Sequence, residues 1–128
     1  MGLHSFVKEN IVDHLFEDWE PIQARIQKAQ SLFLFLDYDG TLTPIVSLPE
    51  LALCPFEVKR YLEELRDLPS VNVAIISGRS LENLREKVGV SGIIYVGNHG
   101  LEIESPNGRH KKILSSARTR ELKSITQN

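Results

Sequence analysis

Cysteine is almost missing from this chain: Cys54 is the one thiol in 128 residues. No intrachain disulfide can form, and a reducing compartment is the expected setting. Long apolar runs are missing too. No stretch approaches the roughly 20 residues a membrane-spanning helix needs, and the amino terminus lacks the apolar centre of a secretory signal. A cytoplasmic location with no membrane partner is the expectation. MGLHSF begins like an acylation site, but Phe6 stands where serine or threonine is required. No repeat or low-complexity stretch interrupts the sequence. Charge of one sign is scarce as well: the formal net charge is -2, with 25% charged and 41% hydrophobic residues. From Arg109 onward six Lys and Arg face one Glu, a local +5, which leaves -7 on the rest. An acidic body of this kind speaks against nucleic acid as the main partner.

One apparent motif fails on its chemistry. Cys54 to Arg60 matches the Cys-x5-Arg spacing of cysteine-dependent phosphatases. That site needs small residues whose amides cradle a phosphate, whereas CPFEVKR supplies Pro55, without an amide hydrogen, and the anionic Glu57.

What the chain does contain is organised around SLFLFLDYDGTLTP, residues 31–44. Leu32 to Leu36 are apolar without alternation, which predicts a strand buried on both faces, as in a parallel sheet covered by helices. Asp37 and Asp39 then project to the same side, and Gly40 permits a sharp turn. Two carboxylates so placed repel each other unless a cation or a shared proton is present. The same residues also suit a plain turn after a core strand.

Around this stretch the pattern alternates. Residues 4–30 read as helical, with Ile11, Leu15, Trp19, Ile22 and Ile26 at helical spacing, and are expected to pack a flank of the sheet. His4 and His14 have no partner at metal spacing. Residues 44–55 hold three prolines and read as an extended loop. Pro55 to Leu68 is a predicted helix carrying Val58, Leu62 and Leu65 on one face, and VNVAII (71–76) is a second buried strand. It ends in Ser77-Gly78-Arg79-Ser80, where Ser80 can cap a helix that Gly89 closes. A hydroxyl, a glycine and an arginine at a strand end suit a phosphate, and equally suit a simple strand-to-helix turn. Ile93 to Val96 is a third strand, followed by Gly97-Asn98-His99-Gly100, whose glycines suggest a close backbone approach to a ligand. Leu101 to Leu114 reads as a hairpin turning at Pro106 to Gly108. The last stretch, SSARTRELKSITQN, is polar and basic.

The order strand, helix, strand, helix, strand predicts an α/β, Rossmann-like parallel sheet with flanking helices. Its informative polar clusters all lie at carboxyl ends of strands, where open α/β sheets bind ligands.

DYDGTLTP after an apolar strand resembles the Asp-x-Asp-x-Thr motif of the haloacid dehalogenase superfamily. Ser77 matches that superfamily's second motif. Pro44, Ile45, Pro49 and Ala52, together with SGRS and YVGNHGLEI, resemble the trehalose-6-phosphate phosphatases within it. The resemblance implies hydrolysis of trehalose 6-phosphate to trehalose and phosphate, in trehalose biosynthesis, through an aspartyl phosphate. Asp37 would be the nucleophile and Asp39 the general acid/base, with Mg2+ held by Asp37 and Asp39. Thr41, Ser77 and Gly78 would meet the phosphoryl group, and Arg79, Asn98, His99 and Gly100 the substrate. The superfamily's later lysine motif and acidic cluster have no match in residues 101–128. Residues 1–30 are therefore expected to be a helical segment, and 31–128 a partial core that ends at the start of a cap. On this reading the chain alone is weak or inactive. The alternatives are a catalytically incomplete binding or regulatory module, associating with a complete phosphatase or synthase chain, and a phosphatase for another sugar phosphate.

Overall fold

Each of the three predicted parallel strands becomes one for the reason its sequence suggests, a short apolar run closed by residues that cannot continue it. The computed structural model describes residues 15–113. It divides into two compact units, Met1–Gln30 and Ser31–Asn128. His4, His14, the first part of the predicted amino-terminal helix, Leu114 and the basic final stretch lie outside the described residues.

In the first unit, helix α1 (Trp19–Lys28) accepts Pro21 in its first turn and buries none of its residues. The second unit is a five-stranded sheet in the order β1 (Leu32–Asp37), β2 (Val71–Ile76), β3 (Ile94–Gly97), β4 (Glu102–Glu104), β5 (His110–Lys112). The first three strands are parallel, and β4 and β5 form the predicted hairpin, antiparallel to β3 and to each other. Helix α2 (Phe56–Asp67) connects β1 to β2, and α3 (Leu81–Val88) connects β2 to β3. Pro55 takes the cap position of α2, one residue earlier than expected. At α3 the Ser80 hydroxyl accepts from the Asn83 amide, and Gly89 closes the helix in the left-handed conformation at φ 68°.

The register explains the core. Leu36 lies beside Ile75, and Ile75 beside Tyr95, so these side chains share one face of the sheet with Val73. On that face Leu62 from α2 and Leu84 and Val88 from α3 complete a cluster of fully buried residues with Tyr38 and Ile75. Two successive right-handed crossovers running in one direction put α2 and α3 on the same face.

That arrangement corrects the expectation that both faces of β1 are buried. Its burial alternates along the strand, and Phe33 and Phe35 are 52% and 66% exposed. Their rings stack on each other at 6.0 Å. The odd-numbered side of β1 faces away from both crossover helices, and a continuous apolar run carries no information about which side receives them.

For the site, the register has one further effect. Asp37 lies beside Ile76, and Ile76 beside Val96. Three strands thus end level with one another, and the turns that follow them meet.

Candidate active site

The turn after β1 is built around Tyr38. Its ring is fully buried, while its carbonyl accepts from the amides of Leu42 and Thr43 and from the buried Thr43 hydroxyl. Turning Tyr38 inward leaves Asp37 and Asp39, its neighbours, exposed. Gly40 makes the bend at φ 83°.

The two aspartates have different partners. Asp37 accepts one long hydrogen bond, 3.3 Å, from the Thr41 hydroxyl. Asp39 is gripped by Arg79 from the turn after β2: Nε lies 2.9 Å from one carboxylate oxygen and Nη2 lies 2.6 Å from the other. The guanidinium also stands over the Tyr38 ring at 5.5 Å and donates to Asn83 and to the Pro49 carbonyl. Arg79 holds the Asp39 carboxyl below the usual carboxylate range, chiefly through these hydrogen bonds, with the Ser77 hydroxyl adding a smaller pull. The positive charge that the paired aspartates require is thus present as a guanidinium, bidentate on one of them.

Two glycines let the turns interlock. A Cβ on Gly78 would lie 2.6 Å from Cε1 of His99, and a Cβ on Gly97 would lie 2.6 Å from the amide nitrogen of Leu81. The first keeps the His99 ring on the Ser77–Ser80 turn. The second lets β3 end against the start of α3, so Gly97 serves a backbone contact where a ligand approach is the sequence expectation. The Asn98 amide donates to the Arg79 carbonyl, and the His99 amide to that of Ser77. Asn98 and His99 both adopt left-handed φ, 51° and 55°, a conformation that non-glycine residues hold only when their surroundings impose it.

Asp39, Gly78, Arg79 and His99 line one open depression of about 360 Å³ together with Pro44, Ile45, Val46 and Pro49. Four of the sequence-predicted site residues therefore share a cavity. Asp37 and Thr41 sit at the head of β1 outside its lining. Ser77 is buried, its Oγ accepting from the Arg79 amide at 3.1 Å. Asn98 acts here through its backbone, and Gly100, at φ 86°, closes the turn where an added Cβ would meet no atom within 4 Å. Sequence reasoning missed Tyr38, Asn83 and Lys87. Tyr38 was legible as the inward residue between two outward ones. Asn83 and Lys87 lie one turn apart on α3, and Arg79, just before the helix cap, reaches Asn83.

The trehalose-phosphatase family model matches residues 35–126. The chain belongs to the trehalose-phosphatase family. Trehalose-phosphate phosphatase B of Arabidopsis thaliana is 37% identical over 91 residues, covering 71% of this chain and 24% of that protein. The trehalose-phosphate phosphatase of Mycobacterium ulcerans is 40% identical over 77 residues, 60% of this chain and 19% of its own. Among solved structures, the trehalose-6-phosphate phosphatase of Aspergillus fumigatus superposes with a TM-score of 0.73 at 31% identity, over 86% of this chain and 42% of that one. A haloacid dehalogenase-like hydrolase from B. subtilis, 20% identical, shares the fold at a TM-score of 0.53. The core is accordingly haloacid dehalogenase-like. The chain spans about a quarter of the length of the plant family members it matches.

Proposed function

We propose that the carboxyl end of this sheet is the phosphoryl-transfer site of a trehalose-6-phosphate phosphatase. The observation that carries the reading is the division of labour between the two aspartates flanking Tyr38. Among the described residues Asp37 has one long hydrogen bond and keeps its oxygens available, as a carboxylate nucleophile requires. Attack on phosphorus would form an aspartyl phosphate, and the Thr41 hydroxyl orients the attacking carboxylate. Asp39 would protonate the departing sugar oxygen and later take a proton from the attacking water. Arg79 holds Asp39 ionised until a phosphoryl group draws the guanidinium to itself, and that exchange frees Asp39 to pick up its proton. Ser77, Gly78, Asn98, His99 and Gly100 would surround the substrate, His99 through its ring at the wall of the depression.

Among the described residues no three His, Cys, Asp or Glu side chains converge. A hard cation needs no such cluster when it keeps its waters and shares a substrate phosphate. The uncommitted Asp37 carboxylate and the main-chain carbonyl of Asp39 fit that mode of holding Mg2+. When bound, Mg2+ would neutralise charge that otherwise opposes the approach of a carboxylate to a phosphate. A cytoplasmic setting suits this chemistry and the single thiol. Among the described residues no helix is long and apolar enough to cross a membrane.

A second reading, a binding module without turnover, is favoured by the bidentate hold on Asp39. Colorimetric phosphate release from a panel of sugar phosphates with Mg2+ separates the two. Slow release confined to trehalose 6-phosphate, below roughly one turnover per second, is the expected result. Binding of trehalose 6-phosphate with no release from any substrate would favour the module.

A further inference from the structure

Residues 44–54 have little regular structure beyond one short turn, Pro49–Leu51, yet they form a wall of the depression beside Asp39. Three of their carbonyls are held by side chains from other elements. The buried Tyr38 hydroxyl donates to Ala52 O at 2.8 Å, Arg79 Nη2 to Pro49 O at 2.9 Å, and Lys87 Nζ to Glu50 O at 2.9 Å. Arg79, just before α3, and Lys87, in its last turn, take two successive carbonyls of the same turn. Among the described residues Lys87 pairs with no carboxylate. Its contact with a neutral carbonyl therefore adds a tie to the loop between those made by Arg79 at Pro49 and by Tyr38 at Ala52.

We propose that Lys87 is a positioning residue for the substrate pocket, strapping the Pro49–Leu51 turn so that Pro44, Ile45, Val46 and Pro49 face Asp39, Arg79 and His99 as an apolar wall. Arg79 has two tasks that conflict when a phosphate arrives, since its charge is then drawn away from Asp39 and Pro49. Lys87 lies outside that exchange and keeps the wall in place. An apolar wall opposite a polar side suits a sugar ring, which carries C–H groups on its face and hydroxyls on its rim. The identity of this occupant rests on the sugar-phosphate reading above, whereas the strap rests on the contacts alone.

Lys87→Met keeps the side-chain stem and removes the charge, and Lys87→Arg keeps the charge. Hydrogen exchange followed by mass spectrometry would report on the amides of residues 45–53. Titration calorimetry with Mg2+ would compare trehalose 6-phosphate with inorganic phosphate. The expected result is faster exchange of that segment in Lys87→Met, restored in Lys87→Arg. Affinity for trehalose 6-phosphate should fall about tenfold, the effect of losing one hydrogen bond from a charged donor, with a much smaller change for inorganic phosphate. Unaltered exchange in Lys87→Met would overturn the strap. Faster exchange with equal loss for both ligands would overturn its role in sugar selection. If the unsubstituted chain binds neither ligand, the sugar-phosphate reading fails and the pocket role with it, and the exchange result alone then decides the strap.

Discussion

The helix-covered face of the sheet and the carboxyl ends of its strands are made of opposite materials. The first is built on Leu62, Ile75, Leu84 and Val88, fully buried and without a polar side-chain atom, beside Tyr38 and Tyr95, whose hydroxyls are hydrogen-bonded to backbone carbonyls. The second holds two aspartates, an arginine, a serine and a histidine within a few residues of three strand ends, with non-glycine residues at positive φ and a glycine under the His99 ring. One region supplies stability through burial, and the other draws on it to hold groups that would not gather by themselves. Substitutions in the two regions should therefore differ in kind as well as in size.

The largest loss of stability belongs to the covered face. Leu84→Ala removes a fully buried side chain between α3 and the sheet and should lower unfolding stability by about 2–5 kcal/mol, measured by urea denaturation. A loss within about 0.5 kcal/mol would mean that α3 is not packed as described. Next comes the junction between turns. Gly78→Ala places a methyl group against the His99 ring and should destabilise by about 1–3 kcal/mol. Because Gly78 has no left-handed φ, its nearest obstacle is that ring. Adding His99→Ala should recover most of the loss, and a double-mutant cycle without coupling would refute the contact.

The smallest effect is electrostatic. Arg79→Met removes the partner that lowers the Asp39 pKa from 3.8. A carboxyl whose folded pKa is depressed contributes stability above its unfolded pKa, and loses it as pH falls through the folded value. The variant should thus be less stable than the unsubstituted chain near neutrality, and the gap should close as the pH falls through the depressed folded value. With the Asp39 side chain 47% exposed, solvent screening keeps the pair to about 1 kcal/mol. A gap that stays constant with pH would assign the loss to packing over Tyr38 instead.

Much of the fold could be read from the chain because its punctuation is local. Ser80 and Gly89 bracket α3, Pro55 and Pro69 bracket α2, and Asn107-Gly108 turns the hairpin. What escaped is what local pattern does not encode. LFLFL reads the same whether its odd side faces a helix or solvent, and the answer came from the direction of two crossovers. Repulsion between Asp37 and Asp39 demanded a positive charge but could not name it, since Arg79 lies 40 residues away from Asp39 in sequence. Loop residues 44–54 showed only prolines, because what shapes them is the set of donors that reach their carbonyls from Tyr38, Arg79 and Lys87.

The central claim is that Asp37, and not Asp39, forms the bond to phosphorus. Incubating the chain with phosphate-labelled trehalose 6-phosphate and Mg2+, quenching in acid and mapping the labelled peptide tests it directly. Label on Asp37 in the unsubstituted chain, absent in Asp37→Asn, is the predicted result. Label on Asp39, or label that survives Asp37→Asn, would contradict it.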